Sequence, residues 1–242
     1  MRSPRVERAE ALAEKLAASL ETNLISLLLY GNHARGGYGV EHTDVSLLLL
    51  VRDASTAALR PLETTIAEWV RDGQESPPLI MSESEWHSSA DVFPIEIEDM
   101  REAHRLFKGI DPFASITTNR HDLRQELERE LRGKLLHLRA EYAAAAPDGK
   151  ALTRLLLDSI HTFFVLMRAL VRLVGGTPQA APNELVEQAC RELQLDPSAF
   201  QWVVEKMSGE TVAVLNAYDP IGAAYVDQIE RMAHFVDGYQ VS

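Results

Sequence analysis

At 242 residues the chain is long enough for one large domain or two modest ones, each with a proper core. Its hydrophobic share of 46% is that of an ordinary globular protein, and its formal charge of −12 argues against broad electrostatic binding to nucleic acid or an anionic membrane. Cys190 is the one cysteine, which excludes an internal disulfide and a cysteine metal cage.

Residues Pro4 to Leu20 place Val6, Ala9, Leu12, Ala13, Leu16 and Leu20 at helical spacing. Ser3 can cap this helix, and Pro4 falls in the first turn, where proline is tolerated. Charge is spread through the segment, so it lacks the apolar core of a signal peptide. Leu24 to Tyr30 and Val45 to Val51 are continuous apolar runs, which predicts two buried strands. Between Ala54 and Arg71 the pattern turns helical. "PPLIMS" predicts a short strand. "DVFPIEIEDM" alternates Val92, Pro94/Ile95 and Ile97 with Glu96 and Glu98, which predicts another, lying at an edge because of Pro94. Arg101 to Phe113, "REAHRLFKGIDPF", reads as a solvated helix with a turn at Gly109, and Ser115 to Thr118 as one more strand.

After Asn119 the character changes. A long, charged amphipathic helix runs from Arg120 until Pro147 to Gly149 stop it, and a more apolar one runs from there to Gly175 and Gly176. Arg168 and Arg172 interrupt the longest apolar stretch, which is too short to span a bilayer, and each is expected to pair with an acid. Shorter helices are predicted from Pro182, Pro197 and Gly209, and a last one over Asp219 to Asp237. The expected architecture is α+β, with an α/β domain over residues 1–119 and an all-α helical bundle over residues 120–242. The expected setting is cytoplasmic, with no membrane partner.

The informative stretch is "LLLYGNHARGGYGVEHTDVSLLLLV", Leu27 to Val51. Glycines between two strands let backbone N–H groups converge on phosphate oxygens, and Arg35 can pair with a triphosphate. A carboxylate at the mouth of the next strand, here Asp44, can hold Mg²⁺, which takes hard oxygen ligands. Two-metal phosphoryl transfer needs acids enough to bridge ions roughly 3.5–4 Å apart. An Asp-x-Asp pair supplies them, because alternate strand residues point the same way. The second position here is Ser46, a neutral hydroxyl. His33 and His42 flank the loop at a spacing that matches no zinc pattern and are expected to be idle.

These residues resemble the signature of the DNA polymerase β-like nucleotidyltransferase superfamily. Gly31 matches its glycine, Asn32 stands where serine is usual, and Ala34-Arg35-Gly36 match the loop. Thr43 stands for a serine, Asp44 matches the first metal acid, and Ser46 replaces the second. The third acid of the family lies on a later strand between apolar residues, for which "PIEIED" offers Glu96, with Glu98 as the alternative. The helical half is similar in layout to that of the small bacterial kanamycin- and streptomycin-modifying enzymes, where it closes over the nucleotide and helps to bind the acceptor.

The resemblance implies a nucleotidyltransferase-like mixed sheet with helices, followed by the helical bundle. It also implies Mg²⁺-dependent transfer of a nucleoside monophosphate from a nucleoside triphosphate to a hydroxyl of a small-molecule or protein acceptor. Gly31, Asn32, Arg35 and Ser46 would hold the nucleotide; Asp44 and Glu96 would hold the metal and carry the catalysis. Ser46 removes one negative charge from that clamp, so transfer is expected to be weak, by a factor of about 10²–10³ on the scale of one lost transition-state contact. The alternative is a non-catalytic protein of the same fold, a pseudoenzyme that binds a nucleotide or a protein partner.

Overall fold

The computed structural model describes residues 3–36 and 44–241. They divide into two compact units, one of Met1–Val92 with Glu96–Thr118 and one of Phe93–Ile95 with Asn119–Ser242.

The first unit begins with α1 (Pro4–Leu20), β1 (Leu24–Tyr30), α2 (Asn32–Arg35) and β2 (Ser46–Val51). It continues through α3 (Thr56–Leu59), α4 (Glu63–Gly73), β3 (Leu79–Ser82), α5 (Glu83–Ser88), α6 (Pro94–Glu102, of which the first two residues count with the second unit) and β4 (His104–Gly109). The strands form one mixed sheet in the order β3-β2-β1-β4, with β2 and β3 parallel and the other pairs antiparallel. The two central strands are buried on both faces, which is why their sequences run apolar without alternation. On one face Leu27, Leu29, Leu47 and Leu49 pack with Ala9, Leu12 and Leu16 of α1. On the other, Leu28, Leu48 and Leu50 pack with Trp86 of α5 and with Ile97 and Met100 of α6. Each fully buried leucine contributes about 2 kcal/mol, so both faces hold the ends of β1 and β2 firmly.

Three expected elements of this unit differ from the structure. Pro94–Glu102 is a helix, not a strand. The alternation of Ile95 and Ile97 fits period two over a window too short to decide, whereas Ile97, Met100 and Ala103 are buried at helical spacing and Pro94 sits in the first turn. The strand comes next, as β4, within the segment expected to be a solvated helix. An edge strand can be polar, and the charges on β4 meet charges on α1: Arg105 pairs with Glu10, and Lys108 with Glu14 at 2.8 Å. Gly109 ends it at φ +83°, where an added Cβ would stand 1.9 Å from the Ile25 carbonyl oxygen, so this position requires glycine. Finally, Ser115–Thr118 is no strand, since Pro112–Ser115 forms a 3-10 turn and irregular backbone follows.

The second unit contains α7 (Arg120–Ala145), α8 (Gly149–Leu173), α9 (Pro182–Leu193), α10 (Ser198–Ser208) and α11 (Pro220–Gly238). The side chains of Asn119 and Asp148 accept backbone N–H groups at the starts of α7 and α8. Its core includes Leu152, Leu156, Ile160, Phe163, Met167 and Leu170 of α8, one face of a helix by spacing. Arg168 is buried and Arg172 half-buried, and both are engaged by neighbours. The helix expected from Gly209 does not form; Gly209 adopts φ +78° as the cap of α10, and 211–216 are irregular. No helix among the described residues is long and apolar enough to cross a membrane.

Candidate functional site

The end of β1 is the natural place to begin. Gly31 turns the chain there at φ +73°, and its carbonyl accepts the N–H groups of Ala34 and Arg35, closing the short α2. Asn32 is the first residue of α2 and Arg35 the last. The Arg35 side chain is only 8% exposed, with Nη2 at 3.1 Å from Asp99 and 3.5 Å from Glu102, both on α6. Its Nε and Nη1 are buried and have no hydrogen-bond partner among the described residues. A buried unsatisfied donor costs about 1–3 kcal/mol, so these two atoms stand to gain from any acceptor brought to them.

Beside this turn, the antiparallel registers set Tyr30 opposite Ser46 on one side and His104 on the other. The Ser46 hydroxyl lies on the strand directly opposite Tyr30 and favours the ionised form of its phenol. Burial pushes the Tyr30 phenol above its usual range, the Glu96 carboxylate pushes it further, and Ser46 opposes the shift. Two of the sequence-derived candidates, Ser46 and Glu96, therefore act on Tyr30. Glu96 does so from helix α6, not from the strand on which it was expected. The alternative acid, Glu98, is taken by Arg101 at 3.2 Å and by the Thr118 hydroxyl at 2.6 Å.

Asp44 lies just before β2 and is half exposed. Its carboxylate accepts the Ser76 hydroxyl and lies 3.7 Å from Nη2 of Arg5. Arg5 also donates from Nε and Nη2 to Glu75, at 2.6 and 2.8 Å, and Arg8 donates to the same carboxylate at 3.0 Å. The Glu75 side chain is fully buried and accepts the Val45 N–H at 2.8 Å as well. Its hydrogen bonds raise the pKa of Arg5, with its charge and that of Asp44 adding to the effect. Among the described residues, the guanidiniums of Arg5 and Arg8 thus face the carboxylates of Asp44 and Glu75.

Glu75, Ser76, Arg5, Tyr30 and Asp99 were not among the sequence-derived candidates. A signal for Glu75 existed in the pairing of β2 with β3. Leu48 lies opposite Leu79 in parallel register, and four positions earlier on each segment stand Asp44 and Glu75. Thr43 and His42, which belong to the expected motif, lie outside the described residues; His33 is buried, not an idle surface residue. A groove of about 400 Å³ between α1 and β4 is lined by Glu10, Glu14, Arg105 and Phe107, and none of its lining residues is a candidate.

Mg²⁺ requires several hard oxygens and a net negative setting. Among the described residues no group of three or more His, Asp, Glu or Cys side chains is arranged to hold a metal. Asp44 faces Arg5, Glu75 is saturated by protein donors, and Ser46 is engaged by Tyr30. Among the described residues, the donor set does not fit a divalent ion.

No protein-family model matches the chain, and no curated protein matches it. Among solved structures it is similar to the spectinomycin adenyltransferase AAD(9) from Enterococcus faecialis, determined with ATP and spectinomycin. That similarity covers 94% of this chain and 98% of the other, at a TM-score of 0.59 and 12% identity. The fold is that of a nucleotidyltransferase, a mixed sheet with helices followed by a helical unit.

Proposed function

We propose that this chain is a divergent member of the DNA polymerase β-like nucleotidyltransferases that binds a nucleoside triphosphate and has lost metal-assisted transfer. ATP is the first nucleotide to test, since the similar structure was determined with it. The observation that carries the reading is the state of the two positions a metal clamp needs: Asp44 is engaged by Arg5 and Ser76, and Ser46 by Tyr30. Phosphates would be held at the turn that leaves β1. The Gly31 N–H is given to the Ala103 carbonyl, so the donors there would be the amide of Asn32 and the Nε and Nη1 of Arg35, which have no hydrogen-bond partner among the described residues. Ser46 and Tyr30 supply hydroxyls at the same end of the sheet, in positions to orient a bound group.

A second reading, slow transfer, is favoured by the half-exposed carboxylate of Asp44, which a bound ion could capture from Arg5. One experiment separates the two. The protein is incubated with each of the four ribonucleoside triphosphates, with Mg²⁺ or Mn²⁺ and with spectinomycin as a probe acceptor, and pyrophosphate release is followed alongside thermal unfolding. The expected outcome is an ATP-dependent rise in Tm with no pyrophosphate. A ligand at about 100 times its Kd stabilises by about 2.7 kcal/mol, or several degrees at this size. Pyrophosphate release that disappears in Asp44→Ala would establish transfer. A flat panel with all four nucleotides would overturn the nucleotide reading itself.

A further inference from the structure

Helix α6 is the wall against which the turn after β1 is held, and its acids are set out in a row. Glu96, Asp99 and Glu102 follow one another at three-residue spacing, which keeps neighbours in the row along one side of the helix. Glu96 acts on Tyr30, while Asp99 and Glu102 reach Nη2 of Arg35. We infer that Asp99 is a positioning residue for the nucleotide: by accepting Nη2 it fixes the Arg35 guanidinium in place, so that Nε and Nη1 stay available to phosphate oxygens. This rests on the nucleotide-binding reading above.

The frame around Asp99 is rigid. Ile97 and Met100 of the same helix are buried with Leu28, Leu48 and Trp86, so rotating α6 would expose them to water. The backbone is tied in as well. The Asp99 carbonyl accepts the Ala103 N–H at 3.2 Å, and the Ala103 carbonyl accepts the Gly31 N–H at 3.0 Å. The turn that carries Arg35 and the acid that receives it therefore move together. Of the two acids at Nη2, Asp99 is the closer, accepting it through Oδ1 at 3.1 Å, against 3.5 Å for Glu102. A two-pronged pairing would consume two guanidinium nitrogens; a grip at Nη2 leaves Nε and Nη1 as donors in a fixed place. An arginine released from that grip would sample many rotamers, and ordering it when a ligand arrives would weaken binding.

The role assigned to Asp99 depends on its hydrogen bond and not on its charge, and two variants separate these. Asp99→Asn keeps an oxygen to accept Nη2 and removes the charge. Asp99→Ala removes both, and alanine suits a helix, so the variant should fold. ATP affinity is measured by calorimetry for the wild type and both variants. Rotation about the Nε–Cζ bond of Arg35 is followed in the same proteins without ligand by nitrogen-15 NMR, the resonance being identified by its loss in Arg35→Lys. ATP binding should weaken about tenfold in Asp99→Ala and stay within about threefold of wild type in Asp99→Asn. Guanidinium rotation should be hindered in the wild type and Asp99→Asn, and fast in Asp99→Ala. Unchanged ATP affinity in Asp99→Ala would overturn the inference, and so would rotation that stays hindered there. A tenfold loss in Asp99→Asn would overturn it by itself, whether or not the alanine variant folds, because the charge would then be what matters. If the wild type does not bind ATP, the nucleotide-binding reading fails and the service of Asp99 to phosphate fails with it, while the rotation measurement still decides whether Asp99 holds Arg35.

Discussion

Arg5 and Arg35 each face two carboxylates, and they differ in how fully their donors are used. Arg5 forks onto the buried Glu75, which also takes a hydrogen bond from Arg8 and another from the backbone of Val45. Arg35 touches Asp99 and Glu102 through Nη2, and its buried Nε and Nη1 have no hydrogen-bond partner among the described residues. A satisfied buried ion pair gives the chain end a fixed geometry, because moving any member strands the others. An under-satisfied one keeps an unspent gain for a ligand. The first cluster thus reads as a structural lock that has absorbed the acids near β2, and the second as the place where the fold can still take up an anion.

The largest effect should come from breaking the lock. Glu75→Ala leaves Arg5 with Asp44 as its acid at the cluster and strips the Val45 N–H of its acceptor; the expected cost is about 3–5 kcal/mol in urea denaturation. A loss below about 1 kcal/mol would mean that water replaces Glu75 and that the cluster locks nothing. A smaller effect should separate stability from binding at the second arginine. Arg35→Lys keeps a positive charge beside Asp99 and Glu102 but removes the two idle donors. Stability should change by no more than about 0.5 kcal/mol while ATP binding weakens about tenfold, some 1.4 kcal/mol. Unchanged affinity would erase the distinction between the two clusters.

The smallest effect concerns Tyr30, which lies between the turn and α6. Its pKa is raised by burial and then by Glu96, so the folded state holds the phenolic proton more tightly than the unfolded chain does. That contribution to stability is fully present below the ordinary tyrosine range and is lost as pH rises through the elevated folded-state value. In Glu96→Gln, the Tyr30 phenolate should appear at lower pH in an ultraviolet difference titration against Tyr30→Phe. An unmoved titration would place Glu96 outside the site.

Much of the sheet was legible because its two central strands are built around runs of buried leucine. Leu24–Tyr30 is a strand over the expected residues, and Val45–Val51 differs only by one residue at its start. The segment from Pro94 to Gly109 was not legible. There a short helix bears two isoleucines two positions apart, and an edge strand bears histidine, arginine and lysine whose charges are met by α1. Local periodicity cannot distinguish these, since the deciding contacts come from residues about 90 positions away. The candidate site divides in the same way. Gly31, Arg35, Asp44 and Ser46 stand out as a pattern in a stretch of 16 residues, whereas Glu75, Asp99 and Arg5 carry no local mark at all.

By itself the sequence determined the buried strand pair, the glycine turn that follows β1, the long helices of the second unit and the loss of an acid at Ser46. These are set by local chemistry: apolar runs that must leave water, a backbone turn that favours glycine, and a hydroxyl that cannot supply a carboxylate's charge. Only the tertiary structure decided the partners. The parallel pairing of β2 with β3 carried Glu75 to the backbone of Val45, and the packing of α1 against the sheet delivered Arg5 to both Glu75 and Asp44. Whether an acid serves a metal or an arginine depends on which charge the folded chain brings within a few ångströms of it, because only at that range does a pairing outweigh the loss of water.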